Sequence, residues 1–360
     1  PFLIMKYLIP FVMLLLVFAC KSKDEVKPNQ PPTAVKVTTT LAPNGKDIIL
    51  NWTKSTDPDG DAVTYAVYYK DTLARKFTDT TFTITNLPYG TTINGSIVVT
   101  DVKGLATATE FTNQTASAFV KIPDPEFEKT LIAMKIDDVI DGQIARVNAE
   151  KVTKINLGSY DFDIPGDNQF YNGKISDLTG IEAFTNLKKL QCSELKLTRL
   201  DVSKNVNLEY LDCFRNKLTS LDVTKNVNLQ RIDCYNNLLT SLDFDKNLHL
   251  QKIFCYNNQL TSLNISKNAN LQSLFCFNNK ITSLDVSKNA NLKELTCVTN
   301  KLTSLDISKN VNLIELICGY NLLSSLDITK NVSLIGLGCY NNKITSLDIS
   351  KNVNLKSLYS

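Results

Sequence analysis

The chain carries a single histidine, His249, among 360 residues. Catalysis built on a histidine base, or a histidine-rich metal site, is therefore hard to assemble. Glycine is scarce at 13 residues, which counts against the loops that cradle phosphates and dinucleotides. An excess of one charge is also lacking. Thirty-nine basic residues face 36 acidic ones, and a net charge of +3 is too small to announce nucleic acid or an anionic surface as partner. What is present is apolar: hydrophobic residues make up 43% and charged ones 21%, enough for a folded core. At roughly 150 residues per domain there is room for two or three domains.

Nine cysteines are the loudest chemical signal, and their spacing decides how to read them. Cys192, Cys213, Cys234, Cys255, Cys276, Cys297, Cys318 and Cys339 each lie 21 residues from the next. Such regularity marks a repeat. The ninth, Cys20, stands alone and needs its own explanation.

From Met5, one positive residue, Lys6, precedes an apolar run from Tyr7 to Ala19. A spanning helix needs about 20 apolar residues, so this shorter run reads as the apolar part of a signal peptide, residues 1–20. Its end, Val17-Phe18-Ala19-Cys20, resembles the lipobox of bacterial lipoproteins, and Lys23-Asp24-Glu25 resembles the tract behind surface export in Bacteroidetes lipoproteins. The resemblance implies lipidation of Cys20, with several acyl chains anchoring the protein at about 0.8 kcal/mol per buried CH₂. It also implies a lipid-anchored, surface-exposed protein of the bacterial outer membrane. The alternative is an ordinary secretory signal with an incidental cysteine. Residues 21–32 then form a polar, proline-bearing linker.

Residues 33–120 alternate apolar and polar side chains in short runs. Ile48, Leu50 and Trp52 share one face, Tyr65, Val67 and Tyr69 another, and Phe82 with Ile84 a third. Asn44-Gly45 and Asp59-Gly60 supply turns, so the segment predicts a small β-sandwich. Pro31-Pro32, Trp52, Tyr65-Ala66-Val67-Tyr68-Tyr69 and Leu87-Pro88-Tyr89-Gly90-Thr91 give it a resemblance to a fibronectin type III domain. That family's corner tyrosine falls at Ile93, so its hydrogen bond is missing. Asp57, Asp59 and Asp61 put three carboxylates in five residues. They are a weak metal candidate, since the spacing is not that of an EF-hand and a plain interstrand turn explains them as well.

From residue 186 to residue 360 the chain stacks in lines of 21, eight complete and a ninth that stops short, as a fragment of a longer array would. Leu208-x-x-Leu211-x-Cys213-x-x-Asn216 is followed by Leu218-x-x-Leu221-x-Val223-x-x-Asn226, two half-repeats of one pattern. The period and pattern resemble the nested 21-residue class of bacterial leucine-rich repeats. The expected fold class is mainly β: a fibronectin type III-like sandwich followed by a leucine-rich repeat solenoid with strands on both sides of each coil. The cysteines take an inward strand position and read as small core fillers. Two asparagine columns, one from Asn216 to Asn342 and one from Asn205 to Asn352, read as ladders that satisfy buried backbone groups at the turns. Residues 121–185 read as the cap over the first coil. Within them, Asp124-Pro125-Glu126 signals a helix start and Val152, Ile155, Leu157, Ile175, Leu178, Ile181 and Phe184 form degenerate repeat strides.

Function is sought where the array stops repeating. The second-half strand, Ser220-Leu221-Asp222-Val223-Thr224 and its copies, barely changes and predicts a uniform solvated face. Around each cysteine the outward residues do change. Phe254, Tyr256, Phe275 and Phe277 predict an exposed aromatic patch, with Tyr210, Phe214, Arg231, Tyr235 and Lys252 beside it as ligand-binding candidates. Cross-strand stacking that merely stabilises the sheet is the competing explanation. The expectation is a non-catalytic cell-envelope binding or adhesion lipoprotein that uses the variable face to engage a protein on the cell or host surface. Glycan capture by the aromatic patch is the alternative. No catalytic residues, cofactor or nucleic-acid partner are expected.

Overall fold

The computed structural model describes residues 27–70, 72–158 and 173–359, with the backbone alone for 72–77. The signal peptide, Cys20 and the first half of the linker, residues 21–26, lie outside the described residues. The chain divides between Ala116 and Ser117 into two compact units.

The first unit is a sandwich of two antiparallel sheets. One has three strands, β1 (Val37–Leu41), β2 (Ile48–Trp52) and β5 (Thr81–Ile84), in the order β1-β2-β5. The other has four, β3 (Val63–Tyr69), β4 (Thr72–Phe77), β6 (Thr92–Asp101) and β7 (Ala106–Gln114), in the order β4-β3-β6-β7. Alternation puts Ile48, Leu50 and Trp52 from one sheet against Tyr65, Val67, Ile97 and Val99 from the other in a single core. Gly45 and Gly60 take φ of 68° and 82°, the left-handed conformation that a side chain would strain. Ile93, at the place of the absent corner tyrosine, is buried in this core.

The second unit begins with β8 (Phe119–Lys121), which pairs with β9 (Gln143–Ala145). A boundary at 120/121 assigns most of β8 to the sandwich. Val120 and Ile122 instead bury their side chains in the second core. Helix α1 (Pro125–Ala133) starts as its residues predict. Asp124 Oδ1 accepts from the N–H groups of Glu126 and Phe127, and its Oδ2 accepts from those of Ser176 and Asp177. One carboxylate thus caps the helix and pins a later segment to it. A short helix, α2 (Arg146–Ala149), leads to β10 (Lys154–Asn156), the first strand of the solenoid sheet.

That sheet contains ten parallel strands, β10 to β19. From β11 (Lys189–Gln191) through β12 (Tyr210–Asp212), β13 (Arg231–Asp233), β14 (Lys252–Phe254), β15 (Ser273–Phe275), β16 (Glu294–Thr296), β17 (Glu315–Ile317) and β18 (Gly336–Gly338) to β19 (Ser357–Tyr359), partners stand 21 residues apart, as in Tyr210 opposite Arg231. All eight repeat cysteines are buried free thiols in one continuous core with the leucines. Burial pushes the thiols up, and for Cys213 to Cys318 the neighbouring cysteines add to the shift.

Both asparagine ladders form. Asn258 Nδ2 donates to the carbonyls of Cys234 and Cys255 at 3.0 and 3.1 Å, while its Oδ1 accepts from Leu239 N–H at 3.0 Å. In the other column Asn226 Nδ2 donates to the carbonyls of Val202 and Asn205, both at 2.9 Å.

The second ladder of strands does not form. Among the described residues the second half-repeats give one isolated bridge, Asp243 with Asn264. Local bonds consume the N–H groups that such a ladder needs. In one coil Thr224 N–H donates to Asp222 Oδ1, Asn226 N–H to Val223 O and Leu229 N–H to Asn226 O. The half-repeat is therefore two successive turns instead of a strand. Among the described residues no helix is long and apolar enough to cross a membrane.

Candidate binding face

In a β-strand, side chains at i and i+2 point to the same side. Each solenoid strand therefore directs its first and third residues to the outer side of the sheet, while the middle leucine or isoleucine and the following cysteine point inward. The residue after the cysteine extends the outward row. Stacking produces three columns. The first runs Tyr210, Arg231, Lys252, Ser273, Glu294, Glu315, Gly336, and the second Asp212, Asp233, Phe254, Phe275, Thr296, Ile317, Gly338. Phe214, Tyr235, Tyr256, Phe277, Val298, Gly319 and Tyr340 make the third.

The predicted aromatic patch separates into two arrangements. In the third column Phe214, Tyr235, Tyr256 and Phe277 form one continuous stack, with ring centroids 4.4, 4.2 and 4.1 Å apart and planes within 13° of parallel. In the second column Phe254 and Phe275 meet at 4.8 Å and 39°. Parallel in-register strands are spaced by about 4.8 Å, so identical flat side chains cover one another's faces. The rings are consequently half-buried instead of open to solvent. Phe214, at the end of the stack, is only 2% exposed and makes no surface for a ligand. That is a correction to its place among the binding candidates. Tyr210, Tyr235, Tyr256, Phe275, Phe277 and Phe254 keep an exposed edge, and Lys252 is exposed.

Arg231 is engaged within the sheet. Its guanidinium grips the Asp233 carboxylate through Nε at 3.0 and 3.1 Å and through the terminal nitrogen at 2.7 Å. Tyr210 OH donates to the same carboxylate at 2.9 Å. The guanidinium also lies 5.0 Å from the Tyr210 ring centroid and 5.1 Å from that of Phe254. The pair is legible in the sequence, since Arg231 and Asp233 are an i, i+2 pair on one face.

Asp212 is the residue that sequence reasoning missed. It sits in an outward column and is nevertheless 0% exposed, as is Asp233. Its Oδ1 accepts from Phe214 N–H at 3.3 Å, and its Oδ2 has no hydrogen-bond partner. Burial, and then the charge of Asp233, push its carboxyl well above the ordinary carboxylate range. The sign of the linkage follows. Stability is complete below the unfolded carboxylate value, about pH 4, and is lost as pH rises through the elevated folded value. Asp212→Asn keeps the acceptor for Phe214 and removes the charge. It is expected to stabilise the protein at neutral pH, by on the order of 1–2 kcal/mol, and to flatten the fall in melting temperature above about pH 4. Melting curves taken across that range test this; a variant less stable than the parent at neutral pH contradicts it.

Elsewhere the chemistry is structural. Among the described residues no group of three histidines, cysteines, aspartates or glutamates is placed to hold a metal ion. Asp57 caps its own turn, accepting from Asp59 N–H, while Asp59 accepts from Gln30 N–H. Asp61 pairs with Lys103 at 2.8 Å, so a lysine supplies positive charge to this cluster. On the second half-repeats the aspartates bind the N–H two residues on, as Asp222 does with Thr224, and this holds the Asp222 carboxyl below its usual range. The lysines that follow them add a smaller effect.

These features define a leucine-rich repeat solenoid. No protein-family model matches the chain, and no curated protein matches it. Solved structures do. The functional domain of InlJ from Listeria monocytogenes, described as including a cysteine ladder, is similar over 67% of this chain with 32% identity and a TM-score of 0.54. A leucine-rich repeat protein of Leptospira interrogans is similar over 59% of this chain with 24% identity and a TM-score of 0.50. The chain spans 56% and 61% of the lengths of those two proteins.

Proposed function

We propose that this chain is a non-catalytic binding protein whose solenoid strand face engages a protein partner. One observation carries the reading. In an array where scaffold positions recur every 21 residues, the three outward columns of the strand sheet do not recur, and they hold aromatic edges beside exposed charge. Repetition maintained in the core and relaxed on one face is what a recognition surface on a rigid scaffold requires.

The same reading takes Cys20 as a lipid attachment point. It places the protein at the bacterial outer membrane, with a fibronectin type III-like sandwich as spacer and adhesion as its role. The motif at Cys20 and the strand order of the first unit support it. Glycan capture is the weaker reading, because sugar rings stack on aromatic faces. The faces of Tyr235 and Tyr256 are covered by their neighbours at 4.1–4.4 Å.

Phe254 and Phe275 are the residues to change, since both keep an exposed edge and neither belongs to the four-ring stack. The double variant Phe254→Ser, Phe275→Ser is expected to keep its circular dichroism and lose capture of envelope proteins by about tenfold or more. A glycan array run alongside separates the two readings. Undiminished protein capture by the folded variant sinks the patch; sugar binding lost with the same substitutions transfers it to glycan.

A further inference from the structure

The three columns are not only variable; they are ordered. Going from β12 to β18, the first column carries Tyr210, then basic Arg231 and Lys252, then Ser273, then acidic Glu294 and Glu315, then Gly336. Charge changes sign at Ser273, and the sequence on one side answers that on the other at equal distance. Lys252 is matched by Glu294, and the bulk of Tyr210 by the missing side chain of Gly336; Arg231 stands opposite Glu315 in the order, but its charge is already held by Asp233.

The other columns obey the same centre. Phe275 and Phe277 lie on the central coil. Phe254 answers Thr296, Tyr256 answers Val298, and Tyr235 answers Gly319. No exposed charge is set against one of its own sign. Lys252 and Glu315 make no ion pair among the described residues, while Glu294 accepts only the Ser273 hydroxyl at 2.7 Å.

We infer that the partner of this face is a second copy of the chain, docked with its coil order reversed about the coil of Ser273 and Phe275. A two-fold axis along the strand direction maps each column onto itself and reverses the coils, which is the isologous arrangement of a symmetric dimer. Each copy's Lys252 then meets the other's Glu294, giving two such pairs per dimer. The inference rests on the proposed use of this face for protein binding and names the partner.

Two further observations favour it. Gly336 is not needed by the backbone. It has no positive φ, and a Cβ there would sit 3.6 Å from Glu315 Cγ, an ordinary contact. With Gly338 it opens a hollow of about 310 Å³ edged by Ile314, Ile317, Ile335 and Tyr359. A dent of that kind, with isoleucines at its sides and Glu315 and Ser357 at its rim, receives an amphipathic ring such as Tyr210. Hydrogen bonds also tie successive coils on both sides of the solenoid. Strand pairing does so on one side and bonds such as Asn268 Nδ2 to Asn247 O, at 2.9 Å, on the other. Each coil is thereby fixed to the next on both sides, which holds the strand face as a rigid docking surface.

The test uses two differently tagged copies of the full chain, co-purified from detergent solution. Wild-type copies are expected to co-purify. Lys252→Glu mixed with itself, and Glu294→Lys mixed with itself, should each lose about tenfold or more, because like charges then face across the axis. Lys252→Glu mixed with Glu294→Lys should recover, since both pairs are restored with reversed sign. Gly336→Leu, which fills the dent without straining the backbone, should also lose co-purification with circular dichroism unchanged. Failure of wild-type copies to associate, or failure of the charge-swapped mixture to recover, overturns the antiparallel pairing. If wild-type copies stay apart while the Phe254 and Phe275 substitutions still abolish capture of another protein, the binding face stands and only the identity of its partner falls.

Discussion

Asn258→Leu is expected to cost the solenoid about 2 kcal/mol. Asn258 bonds Cys234 O and Leu239 N–H of the preceding coil and Cys255 O and Tyr256 O of its own. Leucine is close in size but leaves the buried Leu239 N–H of the neighbouring coil without a partner, at about 1–3 kcal/mol, while Cys234 O keeps its bond from Asn237 Nδ2. Position aggravates the effect. A solenoid holds together through nearest-neighbour interfaces, so a defect in a middle coil separates two blocks that otherwise unfold together. Urea unfolding followed by circular dichroism should show a lower midpoint and a broadened or split transition. A change below about 0.5 kcal/mol, the scale of an ordinary surface substitution, would show that the ladder is ornamental.

Arg231→Met should cost about 3 kcal/mol, because removing one partner of a buried ion pair strands the other. The pair is unequal. Arg231 retains 26% of its side-chain exposure, whereas Asp233 has none and loses the fork of bonds that holds its charge. Burial already pushes the Asp233 carboxyl upward, with Arg231 opposing, and the substitution removes that opposition. Its folded value then lies further above the unfolded one, so the variant's stability is complete below about pH 4 and falls as pH rises from there. The gap between variant and parent should widen from acid to neutral pH. Adding Asp233→Asn removes the stranded charge and should recover most of the loss. A double variant as unstable as the single one would place the cost in lost stacking of Arg231 on Tyr210 and Phe254 instead.

Much of this molecule is legible before any coordinates. Translational repetition is the reason: what one coil needs, every coil needs, so core positions recur every 21 residues and stand out against the changing ones. The inward cysteines, both asparagine ladders, the cap strides and the turn at Asn44-Gly45 all follow from local pattern. The second strand ladder is where local pattern misleads, although the cause of its absence is local too. Asp222 captures both the N–H and the hydroxyl of Thr224 within its own turn, and a hydrophobic pattern does not report that competition. The helix cap at Asp124 is visible in the sequence. Its second role, reaching Ser176 and Asp177, joins residues 52 and 53 positions apart and has no local sign.

The sequence alone determined the coil, its length, its inward residues and the identity of the face that varies, because each depends on a repeat or an alternation within one chain segment. Only the tertiary structure decided which residues on that face remain available. Phe214 and Asp212 lie in outward columns yet are covered, and Arg231 is occupied by Asp233. Exposure on a stacked sheet depends on what stands one strand away, 21 residues earlier or later, and on whether the two shapes stack. Side-chain direction follows from alternation. Accessibility follows from packing.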